Sequence, residues 1–130
     1  MNNVQINLLE KLKSNLLKFI DELISIMPSE SDLFVVKFFI KESVAITDIM
    51  DYIIQKLLPL ESYVVQKDDR FFLEHQVLFE ELRDSNNKVN YFKNVWQSSL
   101  DDENKEVIWN WFLLFINISK RYKATCVTYN

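Results

Sequence analysis

Apolar residues recur along this chain at the spacing of helix faces. In residues 4–27, Leu9, Leu12, Leu16, Phe19, Leu23 and Ile26 step by alternating threes and fours. Leu17, Ile20, Ile24 and Met27 widen that stripe, while Lys11, Lys13, Lys18, Asp21 and Glu22 fall mainly outside it. Pro28 ends this first helix or starts a new one. Ser29 with Asp32 three residues on resembles a capping box, which predicts a second helix over residues 30–42. Its runs Leu33-Phe34-Val35-Val36 and Phe38-Phe39-Ile40 would also suit a buried strand, but no partner strand or hairpin turn lies nearby, so helix is the reading.

Ser43 or Thr47 can cap a third helix, with Ile49, Ile53 and Leu57 on one face and Met50, Ile54 and Leu58 beside it. Pro59 should kink it, with a helical continuation over residues 60–66. Lys67-Asp68-Asp69 reads as a charged break, Phe71-Phe72-Leu73 as a short apolar plug, and Ser85-Asn86-Asn87 as a further break before a helix carrying Val89, Phe92, Val95 and Trp96. Asp101 then caps a final helix reaching Lys123, with Asp102 and Glu103 at its positive end.

Residues 107–118 of that helix hold only two polar positions, Asn110 and Asn117, two turns apart on one strip. A helix apolar around most of its circumference must be covered on several sides, and this one is too short to cross a bilayer. The pattern predicts an all-α, single-domain bundle of five or six helices around the apolar C-terminal helix. The domain spans residues 1–123, and residues 124–130 form a tail.

Composition sharpens this. The chain has 130 residues, enough for one domain with a core, and no glycine at all. Hairpin turns, glycine caps and phosphate-binding loops lose their usual residue, leaving Asn86-Asn87 as candidates for left-handed positions. A net charge of −4 argues against a general nucleic-acid surface. The one basic cluster, Lys120, Arg121 and Lys123, reads as favourable charge at a helix C-terminus in preference to a phosphate-binding patch. The single cysteine, Cys126, excludes an intrachain disulfide and suits a reducing compartment, and no secretory signal pattern opens the chain.

The succession Leu58-Pro59, Lys67-Asp68, Phe71-Phe72-Leu73, Trp96, Leu100, Glu103-Asn104-Lys105, Ile108-Trp109 and Tyr122 resembles a group of small uncharacterised helical proteins of nucleocytoplasmic large DNA viruses. The resemblance covers the last two thirds of the chain and leaves out the first 45 residues. It implies a viral origin and life inside a host cell or virion, and brings no activity or catalytic residue with it. A second viral likeness, to the Bcl-2 family's Asn-Trp-Gly-Arg signature at Asn110-Trp111, fails because Phe112 and Leu113 replace its Gly and Arg.

No reactive constellation assembles. His75 is the only histidine, and neither Glu74 beside it nor Asp68-Asp69 supplies convergent metal ligands. Cys126 lacks a nucleophile elbow, and Glu80-Glu81 and Asp101-Asp102 are ordinary acids of a wet face or helix start. No catalytic, cofactor or metal site is expected, and no small-molecule substrate. What remains is aromatic surface. At 100° steps, Ile108, Trp111, Phe115, Ile118 and Tyr122 share a core arc, with Glu106, Asn110, Asn117, Lys120 and Arg121 opposite. Trp109, Leu113 and Ile116 form a ridge between them, which is either packed by another layer of the domain or offered to another protein.

The function expected is therefore non-enzymatic: intracellular protein–protein interaction, self-association included, through Trp109, Leu113 and Ile116. The rival is a host-modulating protein that takes a helix into a groove, and a small enzyme comes third. A preformed apolar groove would favour the rival, and a self-complementary face the first reading.

Overall fold

A computed structural model describes residues 2–71, Trp96 and residues 100–128. Among them every element is helical and none is a strand. α1 (Asn3–Ile26) opens with a reciprocal cap. The Gln5 backbone N–H donates to Asn2 Oδ1 at 2.8 Å and the Asn2 N–H to Gln5 Oε1 at 3.1 Å, so two orphan donors are satisfied together. Met27 N–H closes the far end on the Leu23 carbonyl, and Pro28 follows.

α2 (Asp32–Glu42) forms where expected, and as helix rather than strand. The Ser29–Asp32 capping box does not form. The N-cap is Ser31, in helical φ/ψ and without a side-chain cap. Instead Leu33 and Phe34 N–H groups donate to the Glu30 and Ser31 carbonyls, so a backbone turn does the work the side chain was expected to do.

α3 (Ile46–Tyr52) also starts without a side-chain cap. Neither Ser43 nor Thr47 serves, because extended Ala45 is the N-cap and its carbonyl receives the Asp48 and Ile49 N–H groups. The helix widens into a π turn at Ile53–Leu57, tightens into a 3₁₀ turn at Leu58–Leu60, and resumes as α4 (Glu61–Val65). Pro59 explains the change: its ring has no N–H to give and crowds the preceding turn. α4 ends at Lys67, whose φ of 52° is left-handed. Lys67 N–H donates to the Val64 carbonyl at 3.0 Å and Asp68 N–H to the Tyr63 carbonyl at 2.8 Å. This is the paired closure that glycine usually enables. Asn86-Asn87 lie outside the described residues.

α5 (Asp102–Thr128) is capped as expected, the Asn104 N–H donating to Asp101 Oδ1 at 2.8 Å. It does not stop at Lys123. Thr125 and Cys126 remain helical and partly buried, with Cys126 packed against the core, so residues 124–128 of the expected tail continue the helix. Lys120, Arg121 and Lys123 therefore lie ahead of the last turn, which holds no basic residue.

Four helical bodies result among the described residues: α1, α2, the kinked α3–α4 arm and α5. α5 packs against α1 and the arm, and α2 packs against α1. They form a single compact unit. The helices expected between residues 72 and 99 lie outside the described residues. None of the described helices is long and apolar enough to cross a membrane.

Candidate protein-docking face

The centre of the unit is aromatic. Phe19 on α1 meets three α5 rings: Phe115 at 5.5 Å, Phe112 at 5.7 Å and Trp111 at 5.9 Å between centroids. Beyond α4, Phe71 packs on Phe112 at 5.3 Å and on Trp109 at 6.1 Å. Trp96 stands edge-on to Trp109, its indole N–H donating to Asp69 Oδ1 at 3.1 Å and Lys105 Nζ lying 5.3 Å from its ring centroid. Edge-to-face rings at these separations align positive edges with negative faces, adding specificity to apolar burial.

This arrangement corrects the expected site. Trp109 is 3% exposed and Ile116 1%, both in the core, and Leu113 is half-buried against it. The ridge is not a free surface of the chain. Helical spacing orients those side chains on their own helix, but the rings packed on Trp109 come from Phe71 and Trp96, distant in sequence. The core arc holds better: Ile108, Phe115, Ile118 and Tyr122 are buried, with Trp111 half-buried. Six of the positions quoted for the resemblance, Phe71, Trp96, Leu100, Ile108, Trp109 and Tyr122, are core residues.

Reactive side chains are sparse. Among the described residues, no three His, Cys, Asp or Glu side chains gather to hold a metal, and His75 lies outside them. Cys126 Sγ accepts from Gln5 Nε2 at 3.7 Å. Burial, and then the neighbouring Cys126 and Asp51, push the Tyr122 hydroxyl above its usual range. Asp68 is held below the usual carboxylate range by the Arg70 fork, which donates from Nε and Nη2, and by the Arg70 backbone N–H. An open cleft of about 620 Å³ is lined by Ile54, Leu58, Pro59 and Lys123, with Lys120 bonded to Glu61 at its edge.

α2 departs from the rest of the molecule. Phe34, Val35, Val36, Phe38 and Phe39 each expose between 39% and 62% of their surface. Leu33 packs against the core, and Lys37 reaches Asp21 on α1 at 2.6 Å, which orients the helix. From Phe34 at 100° per residue, Phe38, Val35, Phe39 and Val36 follow within roughly 200° of arc. That arc faces away from α1. Burying a phenylalanine or valine side chain gains about 1.5–3 kcal/mol, so five left in water on one helix form a patch with a function to explain. Sequence reasoning missed it because an apolar run reads as core. Its signal was a second helix apolar nearly all round, in a chain where the core already had its central helix.

Searches of family models, curated proteins and solved structures find no match to this chain.

Proposed function

We propose that this protein is a non-enzymatic binding domain that docks another protein through the apolar face of α2. The observation that carries this reading is the contiguous exposure of Phe34, Val35, Val36, Phe38 and Phe39 on a helix held in place by the Lys37–Asp21 pair. Interface centres favour aromatic residues and shed charge, and this face has that composition. The face belongs to one convex helix rather than to a groove, which supports a docking role over the helix-in-groove rival. The resemblance to giant-virus proteins sets this work in an infected cell or virion.

The test is a photo-crosslinking side chain at position 38, with one at Asn117 on the polar strip of α5 as control, in cells producing the chain. A protein adduct is expected at position 38 and not at 117. No adduct at 38, or equal adducts at both, overturns the reading.

A further inference from the structure

We propose that the partner of the α2 face is a protein with an apolar groove of its own, which takes α2 between two walls and brings a lysine or arginine to Glu42. This occupant deepens the docking reading above and stands only if that reading does.

The width of the face selects a groove. Phe34 marks one edge of the exposed arc and Val36 the other, about 200° apart at helical spacing, with Phe38, Val35 and Phe39 between them. A flat surface, or a single facing helix, touches the middle of such an arc and leaves both edges wet. Two walls and a floor reach all of it, as when an amphipathic helix lies in a groove with anchors at i and i+4. Phe34 and Phe38 make one such pair toward the first wall, Val35 and Phe39 a second over the floor, and Val36 meets the opposite wall.

Charge selects the lining. Asp32 and Glu42 fall within the same arc, at its two ends, and both are exposed. Lys37 lies outside it, turned to Asp21 on α1. Lys41 lies just beyond the Phe34 edge, where a long stem keeps its ammonium in water. Glu42 instead falls near the middle of the arc, and none of the described residues pairs with it. Covering that carboxylate without a cation is costly, so the surface that covers Phe38 and Phe39 also supplies a basic side chain. The two acids disfavour the other occupants. A second α2 sets Glu42 against Asp32 when antiparallel and against Glu42 when parallel, and an anionic lipid surface meets both with like charge.

The test places photo-crosslinking side chains singly at positions 34, 36 and 42 of the full chain, in cells producing it, and maps the adducts by mass spectrometry. Positions 34 and 36 should capture one and the same protein through two separate segments of it, the two walls. With that protein purified, Glu42→Gln should weaken binding several-fold and Glu42→Lys more, both with unchanged circular dichroism. Reversing the charge of the basic residue mapped from position 42 should restore binding to Glu42→Lys. Adducts at position 38 but not at both 34 and 36, or to different proteins from those two, reject the groove and keep the docking reading. Full affinity in Glu42→Lys, or adducts joining two copies of this chain, overturn the proposal in the same way. A chain that gives no protein adduct at 34, 36 or 38 removes the docking reading as well.

Discussion

Trp96 and Trp109 stand edge to face, centroids 5.4 Å apart and planes at 85°, each almost wholly buried. The pair joins α5 to the chain that follows α4, and Phe71 also packs on Trp109. Trp109→Ala should therefore cost about 3–5 kcal/mol, the range for removing a large buried aromatic. Trp109→Arg should unfold the domain, since an unpaired guanidinium would replace the ring. Urea denaturation of the purified variants measures both. A folded Trp109→Arg variant would return that residue to the surface.

At the start of the same helix, Asp101 Oδ1 takes the Asn104 N–H at 2.8 Å. Asp101→Ala should cost roughly 0.5–2 kcal/mol, and Asp101→Asn much less, because the amide oxygen still accepts that bond. Thermal melts of the two variants separate loss of the cap from loss of charge.

The cap, the two long helices and the helical state of residues 32–42 were legible because each depends on local chemistry: a side-chain oxygen three residues before an N–H, or apolar residues at a fixed step. Asn2 and Gln5 show the same locality, and their spacing could have been read as a capping box had the first apolar step been traced back to Gln5. The docking face was not legible. Trp109 and Phe38 are both aromatic residues on helix faces, and nothing in their own spacing tells which meets another segment. That difference arises only when Phe71 and Trp96 arrive over α5 while α2 keeps its outer arc to itself.

Lys67 occupies the left-handed position that ends α4, in a chain with no glycine to take it. A side chain there costs about 1–2 kcal/mol relative to glycine, partly offset by glycine's greater freedom in the unfolded chain. Lys67 also pairs with Glu106, an exposed contact across to α5. In a Glu106→Gln background, which removes that pairing, Lys67→Gly should raise stability by about 0.5–1 kcal/mol. A loss in that background would mean the turn depends on the lysine stem.

Asp68 titration gives a pH signature. Its folded-state value lies below the ordinary carboxylate value because of Arg70, so the bond stabilises the fold above the unfolded-state value and is lost as pH falls through the folded one. Arg70→Ala should move the Asp68 midpoint back up, read by carboxyl NMR. An unmoved midpoint would mean the fork does not persist in solution.

Phe19 and Phe38 offer the sharpest contrast within one residue type. Phe19 is buried and touches Trp111, Phe112 and Phe115, while Phe38 on the adjacent helix leaves 62% of its surface in water. Truncating Phe19 to Ala removes apolar burial and three ring contacts together and should cost about 3–5 kcal/mol. Truncating Phe38 to Ala, measured in dilute monomer, should fall within about 0.5 kcal/mol of wild type. A partner docked on the α2 face should stabilise the wild type and not the Phe38 variant, while Phe19→Ala should be destabilised with or without a partner. Equal costs for the two in dilute monomer would mean that Phe38 is buried within its own chain, and the α2 face would then have no surface to offer a partner.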